Sequence, residues 1–203
     1  MVGLYLFIEG GGDGGRQHTE FRNGFRTFLE KAGLAGRMPR IVASGAREHA
    51  YEDFCDALKE GKRALLLVDS EDPVSEKSPW AHLKQRPGDL WETPPGAEDD
   101  DCHLMVQCME SWFLADRDAL AAFFGSDFRA QKLPPAKKPI EQVSKADVLK
   151  KLPEATKHRK TKGSYAKGKH SFDLLAQIDP AKVTKASTWA DRFVRTLKTK
   201  MGA

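Results

Sequence analysis

A chain of 203 residues, 40% hydrophobic and 31% charged, is long enough to bury a core and too apolar for wholesale disorder. Its first apolar run, Val2 to Ile8, is far shorter than a membrane span and carries no basic leader or cleavage site, which argues against a membrane anchor or a secretory signal. The net charge of +4 hides a split: residues 1–128 hold 14 Lys+Arg against 23 Asp+Glu, a balance of −9, and residues 129–203 hold 19 against 6, a balance of +13.

Val2–Ile8 reads as a buried strand that ends in Glu9 and a glycine cluster. From Thr19 to Ala32, Phe21, Phe25, Phe28 and Leu29 recur at helical spacing, and Gly33 follows as a C-cap. Ile41–Ala43 is a short second strand. Arg47–Glu60 is a second helix with Tyr51, Phe54, Cys55 and Leu58 on one face. Ala64–Val68 is a third strand that ends in Asp69. This alternation predicts a mostly parallel sheet flanked by helices, a Rossmann-like α/β fold.

Ser70 to Asp101 has five prolines and little periodicity, so it reads as a long loop whose Trp80 and Trp91 pack on the fold. His103–Gln107 is a fourth strand, and a helical stretch runs from Met109 to Phe124. Lys145–Leu152 is a short helix and Pro153–Lys167 a basic loop. Two helices, around Ser171–Ile178 and Ser187–Lys200, finish the chain. The organisation expected is an acidic α/β domain over 1–128 and a basic helical extension over 129–203 packed on the same domain.

Two acidic constellations stand at strand ends: Glu9 before the glycines of Gly10–Gly15, and Asp69-Ser70-Glu71-Asp72. The carboxyl ends of parallel strands share one edge, where ligands bind at a topological switch point. Carboxylates gathered there repel one another unless a cation sits between them, and oxygen ligands suit Mg2+ or Mn2+. Taken singly, Asp69 has an equally good reading as a helix N-cap. Gly10, Gly12 and Gly15 also satisfy a dinucleotide fingerprint, which would make a nucleotide-cofactor enzyme. Against it, Glu9 and Asp13 put negative charge where a pyrophosphate would lie, and the second strand ends in Ser44-Gly45 without a ribose-binding acid.

Phe7-Ile8-Glu9-Gly10 resembles the strand-one glutamate motif of Toprim domains, and Leu67-Val68-Asp69-Ser70-Glu71 resembles their Asp-x-Asp motif with glutamate in the second place. Toprim domains occur in topoisomerases, bacterial primases, overcoming-lysogenization-defect nucleases and related phage-defence proteins. The resemblance implies that Glu9, Asp69 and Glu71 hold magnesium, and that Glu9 acts as general acid or base. Glu71 and Asp72 are adjacent and point differently; either can be the second ligand, and Glu71 is preferred. A longer match runs through Leu104-Met105-Val106-Gln107-Cys108-Met109-Glu110-Ser111-Trp112-Phe113-Leu114-Ala115-Asp116 and a Lys-x-x-His-like segment, Lys167 to His170. Together these resemble the bacterial domain-of-unknown-function family 4276, from strand one to about Val183. That resemblance implies a Toprim-like protein of phage defence working beside an ATPase partner.

Glu110 lies among Met109, Trp112 and Phe113, so its carboxylate must meet a metal, a cation or a helix terminus. A further metal ligand and a structural ion pair with a lysine or arginine are equally open. In the tail, Lys160, Lys162, Tyr165, Lys167 and Lys169, interleaved with glycines, suit a phosphate backbone with optional base stacking. Lys169 and His170 are candidates to stabilise or protonate a leaving oxygen. For any one lysine, a solvated surface role is the commoner explanation. The cysteines Cys55, Cys102 and Cys108 are odd in number and lack metal-site spacing, which fits a reduced cytoplasm.

The expectation is therefore metal-dependent phosphodiester hydrolysis on DNA or RNA, with no membrane partner and a homo-oligomer allowed. The alternative is a binding or regulatory module that keeps the fold, contacts nucleic acid or an ATPase, and does not cut.

Overall fold

The computed structural model describes residues 3–12, 15–126, 128–157 and 163–203. Strand β1 (Leu4–Ile8) leads through a glycine turn into α1 (Gly15–Leu29), which relaxes into a wider π turn over Glu30–Leu34. Gly33 there has φ 100°, the left-handed value that ends a helix. β2 (Arg40–Ala43), α2 (Arg47–Lys59) and β3 (Arg63–Asp69) follow, then α3 (Pro79–Gln85) and β4 (Cys102–Met105). A 3-10 segment (Met109–Ala115) precedes α4 (Arg117–Phe124), and α5 (Lys145–Thr156), α6 (Ser171–Gln177), α7 (Pro180–Ala186) and α8 (Thr188–Met201) complete the chain.

The four strands form one parallel sheet in the order β2-β1-β3-β4, with Ile8 paired to Ala43 on one side and to Leu67 on the other. Helices flank it, so the fold is Rossmann-like α/β. The chain leaves β1 toward β2 and then crosses back to β3. The topological switch point therefore lies between the carboxyl ends of β1 and β3.

Period-two alternation decides which side chain meets which layer. Leu4, Leu6, Ile8, Leu65 and Leu67 face the larger core, with Phe21, Phe25 and Phe28 of α1 and Leu174, Phe193 and Leu197 of the C-terminal helices. Phe7, Leu66 and Val68 face the opposite layer, with Phe54 of α2 and Trp80 of α3. Both faces of β3 are buried, which is why Leu65–Val68 is continuously apolar.

Four local expectations are corrected. The long loop contains α3, started by Ser78, whose hydroxyl accepts from Ala81 N, and by Pro79 in the first turn. Asp179 and Pro180 start α7 in the same way. Both helices have seven residues, too few for a periodic apolar stripe to stand out. The stretch from Met109 to Phe124 is two pieces, because Asp116 leaves the helical path to cap α4 through Ala119 N. Finally, α5 runs past Pro153 to Thr156, whose hydroxyl donates to the Leu152 carbonyl. No helix among the described residues is long and apolar enough to cross a membrane.

Candidate metal centre

Glu9 is the residue after β1, and its N–H still donates to Leu67 O at 3.1 Å, so the ladder carries its side chain to the switch point. Its Oε2 accepts from Asp69 N at 3.1 Å and from Arg47 Nη1 at 2.9 Å. Asp69 ends β3 and is buried; Oδ1 accepts from Met109 N at 2.8 Å and Oδ2 from Lys145 Nζ at 3.0 Å. Glu71 has φ 66°, a left-handed turn that its N–H bond to Gln107 O at 2.9 Å helps to hold. The turn brings its carboxylate back to Lys145 Nζ. One oxygen from each of Glu9, Asp69 and Glu71 lies within 4.8 Å of the others.

Two cations flank the acids. Arg47 opens α2 and is held by both oxygens of Asp89, at 2.7 and 2.8 Å, while Nη1 reaches Glu9 and the Asp69 carbonyl. Lys145 opens α5 behind the Ser144 cap, and its backbone N–H donates to Gln107 Oε1 at 3.2 Å. For both cations burial favours the neutral form, but the facing carboxylates outweigh it and raise the pKa. Asp69 goes the other way: burial first, then the Glu9 charge, push it up to about 7, against the pull of Lys145. Glu9, Arg47 and Asp69 border a cleft of about 330 Å³ whose other walls include the turn Gly10–Gly12, Met109, Glu110 and Lys167. A Cβ on Gly11 would come within 2.9 Å of the Ala43 side chain, so this turn needs glycine for space as well as for its φ of 96°.

The N-cap reading of Asp69 is also realised, since Oδ1 caps the 3-10 segment through Met109 N. That bond leaves Oδ2 facing Lys145.

The remaining expected site residues disperse. Asp72 is turned away, its side chain 64% exposed and paired with Arg86 at 3.1 Å. Glu110 is fully buried in the cleft wall, with Oε1 accepting from Tyr165 OH at 3.2 Å and lying 3.8 Å from Lys167 Nζ. Its oxygens are not part of the three-acid cluster. Tyr165 is not an open stacking platform: its ring is buried, and its hydroxyl needs the partners it finds in Glu110 and Ser171. His170 is buried too; Nδ1 accepts from Ala166 N, and the ring packs against Phe123 and Phe124. It does not line the cleft, and neither does the exposed Lys169, so the pairing expected of them at a leaving oxygen is not formed. Lys167 does line the cleft. Lys160 and Lys162 lie outside the described residues.

Sequence reasoning missed Arg47, Asp89, Gln107 and Lys145. Arg47 and Lys145 each open a helix, a position that offers a side chain to a strand-end edge. The contacts themselves join residues 22 to 76 apart in the chain, and local spacing carries no trace of them.

No curated protein and no solved structure matches the chain. A family model described as a domain of unknown function, DUF4276, matches residues 8–198, from the last residue of β1 nearly to the end of α8. The chain therefore belongs to domain-of-unknown-function family 4276.

Proposed function

We propose that this protein is a Toprim-like, metal-dependent phosphodiesterase acting on nucleic acid, with Glu9, Asp69 and Glu71 holding Mg2+ or Mn2+. The observation that carries this reading is the meeting of three carboxylate oxygens within 4.8 Å at the switch point of a parallel sheet. The donor set fits a hard divalent cation, because every donor is oxygen and Lys145 already stands as a positive charge between Asp69 and Glu71. A divalent cation there supplies a lowered water pKa and a counter-charge for a phosphorane-like transition state. The chain's own residues do the rest. Arg47, locked on Asp89, fixes the orientation of Glu9. Met109 N holds Asp69 Oδ1, so Oδ2 keeps one direction. Lys167, half exposed at the cleft, is placed to meet a phosphate.

Incubating the full chain with end-labelled single-stranded DNA, duplex DNA and RNA, with and without Mn2+, tests this reading. Cleavage that requires the metal and is lost in Glu9→Gln is the expected result. No cleavage of any substrate, with no Mn2+ bound, would refute it. By the family resemblance, the setting proposed is cytoplasmic phage defence beside an ATPase.

A second reading, a module that binds without cutting, is favoured by the ion pairs of Arg47 and Lys145, which already offset the acids. Under that reading Mn2+ leaves the melting temperature unchanged, whereas a specific site raises it by mass action.

A further inference from the structure

The cleft that Glu9 and Asp69 border has aromatic walls as well as acidic ones. Phe21 of α1 and Phe172 of α6 both line it. Phe172 is half-buried, and its ring meets Phe21 edge-on with centroids 5.2 Å apart. Phe21 is packed under the glycine turn, since a Cβ on Gly10 would come within 2.9 Å of its ring. At about 330 Å³ the cleft stands at the lower end of small-ligand sites, which span roughly 300–1,000 Å³. That is room for one nucleotide unit and not for a duplex.

Gln17 completes the wall. It lies in the first turn of α1, is exposed, and its carboxamide makes no hydrogen bond among the described residues. Two glycines leave space for it: a Cβ on Gly12 would clash with Gln17 Oε1, and one on Gly168 would stand 3.3 Å from Nε2. The turn beside it is pinned by His18, whose Nε2 donates to Gly12 O at 2.6 Å. The carboxamide is thus seated at the cleft with its donor and its acceptor both unused. An aromatic wall takes the face of a base, and a carboxamide matches a donor–acceptor pair along a base edge.

We propose that this cleft receives one unstacked nucleobase next to the scissile phosphate, held against Phe172 and contacted along its edge by Gln17, so that the substrate is single-stranded nucleic acid. The inference rests on the phosphodiesterase reading above and adds the substrate class to it. Lys167, with its side chain 57% exposed, lines the same cleft and is placed for the phosphate of that nucleotide. Drawing a base out of a duplex costs its pairing and its stacking, and a single strand loses far less.

Binding and hydrolysis, both with the full chain, test the two readings separately. Binding is followed by fluorescence anisotropy in Ca2+, with a short labelled oligonucleotide in deoxy and ribo forms, alone and annealed to its complement. One or both single strands should bind about tenfold tighter than the matching duplex, and Phe172→Ala should reduce single-strand affinity about tenfold. Gln17→Ala, at an exposed and unbonded position, should reduce it severalfold and decides the matter should Phe172→Ala not fold. Hydrolysis in Mn2+ compares p-nitrophenyl esters of thymidine 5′- and 3′-monophosphate with methyl p-nitrophenyl phosphate, which carries no base. A higher kcat/KM on a thymidine ester, with the preference reduced in Gln17→Ala, is the expected result. Equal binding of single strand and duplex, or variants that keep the full preference, would overturn the base site. Esters cleaved without any preference for thymidine, together with no strand preference, would overturn it and leave the phosphodiesterase standing. No ester cleaved, with the single-strand preference present and lost in the variants, would overturn the phosphodiesterase and leave the base site standing.

Discussion

Asp69 and Asp89 stand on either side of Arg47, and both side chains are nearly inaccessible, at 5% and 1% exposed. Their chemistry is opposite. Asp89 receives both nitrogens of an Arg47 fork and a contact from Arg86 at 3.1 Å, so its pKa falls although burial pushes it up. For Asp69, burial and then the neighbouring charges of Glu9 and Glu110 outweigh Lys145 and the more distant Lys167 and carry it up to about 7. Two nearly inaccessible side chains thus give a satisfied aspartate on one side and an under-compensated one on the other. What separates them is the count and geometry of their cations, together with the deeper burial of Asp69. The under-compensated one is where a metal has something to gain, and the satisfied one holds the arginine that orients Glu9.

The sharpest way to break this comparison is to remove each charge in turn. Asp89→Asn leaves Arg47 and Arg86 without their shared anion and should cost about 3–5 kcal/mol of stability, the range for breaking a buried pair. Asp69→Asn keeps an acceptor for Met109 N and relieves repulsion, so its stability should change by roughly 1 kcal/mol or less. Urea unfolding of both variants without metal measures the difference, and equal losses would undo the contrast.

Lys145 gives the next effect. Its ammonium binds the oxygens of Asp69 and Glu71 that a cation would use. Lys145→Met should therefore raise Mn2+ affinity about tenfold, or ~1.4 kcal/mol. Unchanged affinity would mean that the ion and the lysine occupy different places.

The smallest effect is in the pH dependence of stability without metal. For Asp69 the folded pKa is near 7, against an ordinary value of about 3.9. The native state binds the extra proton between those values, so this group's contribution declines as pH rises from about 4 to 7 and is flat above. Asp89 has the opposite sign: its stabilisation is present above the ordinary value and is lost as pH falls through the lower folded one. Asp69→Asn should flatten the decline between pH 4 and 7 and leave the acid limb in place. A decline that persists in the variant assigns the proton to another group.

Much of the fold was legible because it is written in local periodicity. The run Leu65–Val68 and the phenylalanine stripe of α1 admit one layer arrangement each, and Glu9 and Asp69 could be placed at one sheet edge from strand direction alone. Glu71 was legible only as one of two adjacent acids. The turn at φ 66° decides between them, sending Glu71 to Lys145 and Asp72 out to Arg86. Tyr165 and His170 read as working groups in a basic loop, and burial turned them into its anchors.

The sequence by itself determined the parallel α/β plan, the two strand-end acids and the basic character of residues 129–203, since periodicity, strand polarity and charge are properties of neighbouring residues. The tertiary structure alone decided what compensates each acid. Arg47 meets Glu9 across 38 residues, Lys145 meets Asp69 across 76, and Tyr165 meets Glu110 across 55. Whether a buried carboxylate is satisfied, shared or under-compensated depends on where such distant donors arrive, and short-range spacing holds no record of it.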